Sequence, residues 1–191
     1  SEQWEYLKRE TETLLSAFSR LHAACLIDPA LRAQLDLEPY EENLFSLDIG
    51  GAVPWTTSRL DSFFLGHERK LYFVEYNAET PAGMGYEDAL SELFMTLEPM
   101  KRFMKYYAVQ SMPMCGKLLA VLMRGYREWG GVGIPQVAIV DWGHVPTLNE
   151  HEIIRRFFLR HGIKAVLADP RNMEYKNGNL WIGDFRVDLV Y

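Results

Sequence analysis

Two alternating runs, TTSRLDSFFL (56–65) and KLYFVEYNA (70–78), lie either side of GHER (66–69), and they constrain the fold more than any other feature of the chain. Strand side chains point to opposite faces in turn, so the period-two pattern predicts an antiparallel hairpin. On that reading Arg59 and Asp61 share one face of the first strand, and Glu75 and Asn77 share one face of the second. With the turn centred near Glu68, Asp61 falls opposite Glu75 and Arg59 opposite Asn77. Facing carboxylates destabilise a strand pair unless a proton or a cation lies between them. Phe63 and Phe73 are expected on the same face, which would make it more than a wet surface.

Two carboxylates and an amide carbonyl form an all-oxygen set suited to magnesium, which keeps the rest of its shell for water and substrate phosphates. Arg59 would then face a phosphate or acyl-phosphate oxygen. A solvated hairpin face with weak ion pairs is the competing reading of the same spacing. The second strand runs into NAETPAGMG, a glycine-bearing turn before a helix, whose backbone N–H groups are expected to be available to an anion.

Around the hairpin the pattern is helical. Leu7, Leu14, Leu15, Phe18 and Leu21 predict an amphipathic helix from Glu2 to Ile27, ended by Asp28-Pro29. A mixed segment leads from there to the hairpin. After it, a helix is expected over 86–108 with Leu90, Leu93, Phe94, Leu97 and Met100 on its packing side, and another over 115–129, stopped by GGVG. Then come strand QVAIVDW, helix NEHEIIRRFFLRHG and strand KAVLAD, a βαβ unit, and a closing hairpin NMEYKNGNLWIGDFRVDLVY with an Asn177-Gly178 turn. Asn149 with Glu152 reads as the helix start and Gly162 as its stop. The expected organisation is two domains, 1–112 and 113–191.

Composition narrows the function classes. A hydrophobic share of 48% supplies a buried core, and the net charge of −6 lacks the basic footprint of a nucleic-acid partner. No apolar run approaches the roughly 18 residues that span a bilayer, and the charged start is unlike a secretory leader, so no membrane partner and a cytoplasmic location are expected. Cys25 and Cys115 lack metal or disulfide spacing and read as buried thiols. His22, His67, His144, His151 and His161 never form HxxxH or HExxH.

The R-x-D strand, the E-x-N strand and the Pro/Gly turn after it resemble the magnesium-ATP site of ATP-grasp ligases, such as the D-alanine-D-alanine ligases. VEYNAETPAG, followed by a strand-helix-strand unit and GDFRVDLVY, looks most like the circularly permuted branch that includes glutathionylspermidine synthetase and eukaryotic-type glutathione synthetase. The resemblance covers 57–191. It implies an α/β fold: helices plus an antiparallel ATP-grasp-type hairpin, followed by a small Rossmann-like pre-ATP-grasp βαβ domain. It also implies that Asp61, Glu75 and Asn77 hold Mg2+, that Arg59 contacts ATP phosphate or the acyl-phosphate, and that Thr80 lies at the substrate carboxylate. The implied activity is ATP-dependent joining of a small carboxylate to an amine. Pro81 and Gly83 stand where the dipeptide ligases have adjacent Pro-Gly. In the permuted branch a lysine-bearing nucleotide lobe follows the VDLVY strand, so the 191 residues look like the first part of a longer protein, inactive alone and prone to self-association.

Asp141 and Asp169 end the two strands of the βαβ unit, where open α/β sheets bind ligands, and equally suit turn or helix-capping roles. Asp188, with Tyr191, resembles a D-x-V-Y segment on the substrate side, against an ordinary edge-strand acid. Two other functions fit the same residues: a non-catalytic amino-acid or peptide-binding module, and an assembly domain with a degenerate ATP-grasp-like fold.

Overall fold

The computed structural model describes residues 1–47, 56–78 and 80–191. The chain is mixed α/β and forms two compact units, Ser1–Glu79 and Thr80–Tyr191. The division expected near residue 113 therefore lies at 79/80, because the helix after the hairpin packs on the helices that follow it. Among the described residues no single helix is long and apolar enough to cross a membrane.

The first unit opens with α1 (Glu2–Ile27), whose Ser1 cap accepts from Trp4 N. Asp28 ends it and caps α2 (Pro29–Arg32), accepting from Ala30 N and Leu31 N. A 3₁₀ turn (Ala33–Leu35) and α3 (Pro39–Phe45) follow. β1 (Arg59–Leu65) and β2 (Lys70–Asn77) pair antiparallel. Helix α1 covers one hairpin face: Tyr6 stacks on Phe64 with centroids 6.2 Å apart, and Phe18 on Tyr76 at 4.6 Å. Gln3 Nε2 donates to Gly66 O at 3.1 Å and so ties the helix start to the turn. Among the described residues, the apolar side of α1 therefore packs on one sheet face, and no described helix covers the other.

The second unit contains α4 (Met84–Thr96), α5 (Glu98–Phe103), α6 (Met114–Glu128), β3 (Val137–Val140), α7 (Leu148–Arg160) and β4 (Ala165–Ala168). The single helix expected over 86–108 is broken. Leu97 is extended (φ −72°, ψ 139°), and Pro99, which has no N–H to donate back along a continuous helix, starts α5. β3 and β4 pair parallel, Val137 with Ala165 through Val140 with Ala168, as the βαβ reading requires. The C-terminal residues depart from a simple hairpin. β5 (Glu174–Lys176), β6 (Asn179–Ile182) and β7 (Phe185–Val187) form an antiparallel meander, after which β8 (Leu189–Val190) joins the other edge of β3 in parallel. Asn177 and Gly178 take φ 54° and 75°, as a type I′ turn demands.

The core of this unit is a stripe from each of four elements. Cys115, Leu118 and Leu122 of α6 and Ile154 and Phe158 of α7 meet Val137 and Ile139 of β3 and Ala165 of β4. Burying each large side chain contributes about 1.5–3 kcal/mol. Both cysteines are buried and free, and the Cys115 thiol is pushed up to about 12, first by burial and then by the Asp88 carboxylate. Helix α7 stops at Gly162 (φ 77°), with Ile163 N bonded to Phe158 O and Gly162 N to Leu159 O.

One packing expectation reverses. Leu90, Leu93, Phe94 and Leu97 are 52%, 56%, 52% and 41% exposed, while Gly85 is buried. Helix α4 approaches α6 and α7 through Gly85 and Asp88 instead, because close approach and capping at its start set its rotation.

Candidate functional site

The hairpin register is Arg59 opposite Asn77 and Asp61 opposite Glu75, so the four polar residues share one face. The register slips between Asp61 and Ser62: Ser62 pairs with Phe73, and Val74 is the extra residue of a bulge. The slip turns the apolar partners over. Phe63 stays on the polar face, but its neighbour there is Tyr72, and Phe73 goes to the face that α1 covers. Phe63 and Tyr72 are 69% and 52% exposed, so the polar face is bordered by open aromatic rings.

The cation that the facing carboxylates require is present, and it is Arg59. Its Nε donates to Asp61 Oδ1 at 2.7 Å and its Nη2 to Asp61 Oδ2 at 3.2 Å, while Nη2 also lies 3.8 Å from Glu75 Oε1. Asn77 Nδ2 donates to the same Glu75 oxygen at 2.9 Å, which leaves its carbonyl as the ligating end. The Arg59 guanidinium holds the Asp61 carboxyl below its usual range. Among the described residues no three His, Cys, Asp or Glu side chains gather as a metal cluster. The hairpin offers two carboxylates and one amide oxygen on an accessible face. That is a partial oxygen set of the sort magnesium completes with water and phosphate.

Thr80, expected at a substrate carboxylate, belongs to the second unit. Its φ of 28° is unfavourable for a β-branched residue and persists only where the surroundings hold it. It lines a cleft of about 180 Å³ with Asp141, Thr147, Glu150, His151 and Tyr191. Glu79 lies outside the described residues.

The turn after Thr80 corrects the expectation of a free anion site. Glu150, in the first turn of α7, is 1% exposed, and its carboxylate receives Gly83 N at 2.7 and 2.9 Å and Gly85 N at 3.0 Å. The amides expected to greet an external anion are thus filled by an internal one. Gly83, at φ 121°, turns its N–H inward, and a Cβ on Gly85 would come within 3.1 Å of Glu150 Cγ. Asp88 repeats the device, accepting Met114 N and Cys115 N at the start of α6. Glu150 and Asp88 are the residues that sequence reasoning missed. The signal for Glu150 was its place on the stripe Glu150, Ile154, Phe158, where an acid on a buried face needs a partner. The anticipated capping box does not form: Thr147 is the N-cap of α7, and Glu152 bonds Arg155 and Arg156 instead.

At the strand ends, Asp169 accepts Gly143 N and Arg171 N and pairs with the Arg171 side chain, which holds its carboxyl far below the usual range. It is a turn-fixing acid. Asp141 accepts Trp142 N at 2.7 Å and lies 3.7 Å from His151 Nε2, beside two small clefts at the C-terminal edge of β3. Asp188 accepts Gln136 N at 2.9 Å and meets Arg186, and so fixes the entry of β8 beside β3. Burial, with Glu150 and Cys115 nearby, raises the Tyr191 phenol above its ordinary range.

No protein-family model matches the chain, and no curated protein matches it.

Proposed function

We propose that the chain is the part of an ATP-dependent carboxylate-amine ligase, of the permuted ATP-grasp kind, that presents metal and phosphate ligands to the nucleotide. What supports the reading is the register that puts Asp61 against Glu75 and Arg59 against Asn77 on one accessible face. Asp61, Glu75 and the Asn77 carbonyl would hold Mg2+, and Arg59 would turn to a phosphate or acyl-phosphate oxygen. A bound metal supplies charge stabilisation to the transferring phosphoryl group. The arginine neutralises charge on the same group, and its planar fork suits two phosphate oxygens. The acid and amine are small molecules, with Thr80 on the acid side. An ATP-grasp lobe outside these residues, which the resemblance implies, would supply the adenine contacts.

Two measurements test this. Magnesium-ATP added to the 191-residue chain should bind weakly and move the amide resonances of 59–61 and 75–77, and Asp61→Asn should abolish the shifts. In the protein that carries the nucleotide lobe, ADP release should need acid and amine together, and Asp61→Asn or Glu75→Gln should lower turnover by about a hundredfold, the usual loss of a transition-state charge contact. Undiminished turnover in both variants would overturn the proposal. A non-catalytic binding module is favoured by one observation, the occupation of the turn amides by Glu150. It predicts amino-acid binding with no response to nucleotide.

A further inference from the structure

We infer that the cleft at the carboxyl end of β3 binds a small primary amine in its protonated form, with Asp141 as the counter-ion of the ammonium group. The inference stands on the second unit by itself and holds with or without the nucleotide reading of the hairpin.

The place in the fold comes first. β3 is the middle strand of the parallel set β4-β3-β8, and open α/β sheets bind ligands outside the carboxyl ends of their strands. The cleft of about 180 Å³ at that end lies between the segment that begins at Thr80, the first turn of α7 and Tyr191, with Ile139 and Ile154 on its apolar wall. It is well short of the roughly 300 Å³ at which drug-sized sites begin, so it suits a ligand of a few heavy atoms.

The chemistry of the cleft is one-sided. Asp141 Oδ1 accepts Trp142 N, but among the described residues Oδ2 accepts no hydrogen bond, and His151 Nε2 at 3.7 Å is beyond hydrogen-bond reach of it. Among the described residues no lysine or arginine lines the cleft, so an entering carboxylate or phosphate would meet Asp141 with no such cation to offset it. The helix starts do not reverse the sign. α4 and α7 each bring about half a positive charge to their first turns, whereas Glu150 and Asp141 each bring a full negative one. The Tyr191 phenol reports the same field, since burial raises it first and the Glu150 carboxylate raises it further.

An ammonium group uses what is left open. Its three N–H bonds suit Asp141 Oδ2, an unprotonated His151 Nε2 and a hydroxyl of Thr147 or Tyr191, while a short alkyl stem lies on Ile139 and Ile154. A quaternary ammonium brings the charge without an N–H to donate.

The probe is n-butylammonium, followed by the amide resonances of 141, 142 and 147–151. In the wild-type chain it should shift them saturably, with a Kd on the order of 1 mM, within the ceiling for so small a ligand. Asp141→Asn keeps an acceptor for Trp142 N and loses the charge, and should weaken binding at least about tenfold, the usual loss of a charged hydrogen-bond partner. Asp184→Asn, which changes net charge equally but lies in the turn between β6 and β7, should leave the affinity unchanged. Butyrate and tetramethylammonium should give no saturable shift. Nα-acetyl-lysine amide, the same stem on a peptide, should bind more weakly than butylammonium, because a cleft of this size has no room for a backbone.

An absent butylammonium response in wild type would overturn the site, and that result depends on no variant's folding. Butyrate binding as tightly would make it an anion site at the start of α7, and tetramethylammonium binding as tightly would remove the hydrogen bonds. An equal loss in Asp184→Asn would reduce the effect to overall charge, and tighter binding of the lysine derivative would overturn the small-molecule assignment. The nucleotide reading is tested on the resonances of 59–61 and 75–77, so its failure and the failure of this site are told apart.

Discussion

The hairpin face and the start of α4 each hold a carboxylate that needs positive partners, and they satisfy it in opposite ways. Asp61 and Glu75 stand on an accessible surface and share a side-chain cation, Arg59. Glu150 is sealed from solvent and held by two backbone N–H groups that cannot leave. Exposed ion pairs contribute little to stability because water competes for both partners, whereas a buried donor left unpaired forfeits its full desolvation penalty. The first arrangement is exchangeable and suits binding. The second is fixed and suits architecture.

That contrast breaks if the two regions respond alike to substitution. The largest stability loss should come from Glu150→Ala, about 3 kcal/mol, since it strands the Gly83 and Gly85 amides and opens a cavity. Denaturant unfolding would read it directly, and a loss near zero would mean that water replaces the carboxylate. Gly85→Ala should cost about 1–2 kcal/mol, because the new Cβ presses on Glu150 and Ile153 on the packed side of α4. In the hairpin, Arg59→Met and Asp61→Asn should lower the unfolding midpoint far less than Glu150→Ala, because exposed pairs contribute little, while changing metal and phosphate binding. A hairpin variant as destabilising as Glu150→Ala would make that face structural.

The smallest effect is in pH. The Asp61 pKa is lowered by Arg59, so the pair contributes above the ordinary carboxylate range and is lost as pH falls through the lowered value. Carboxyl resonances should show Asp61 titrating low in wild type and returning to the ordinary range in Arg59→Met. Glu152, lowered to about 2 by Arg155 and Arg156, should stay ionised to that pH and not respond to Arg59→Met. Movement of both together would point to a global acid transition instead of two local pairs.

Much of the site was legible because it is local. Period-two alternation and a short turn bring Arg59, Asp61, Glu75 and Asn77 to one face with no information from the rest of the chain, and the same locality made α1, α6, the βαβ strands and the Asn177-Gly178 turn readable. The bulge at Val74 was not legible, since one inserted residue leaves the alternation intact on either side of it and shifts only the register. Nothing in the apolar spacing of α4 announced which side would pack. Leu90, Leu93 and Phe94 make the better stripe, yet Gly85 and Asp88 face inward.

What the sequence by itself determined is the set of choices made between near neighbours: alternation, helix stops, and a pair of carboxylates that had to find a cation. Tertiary structure decided which partner each charged group took. Arg59 reached Asp61 across one strand position, but Glu150 met Gly83 and Gly85 across more than sixty residues. Such a contact exists only after α4 and α7 have packed. The free energy of a buried carboxylate depends on donors that no local pattern specifies, and so the anion site that looked open in the sequence is filled in the fold.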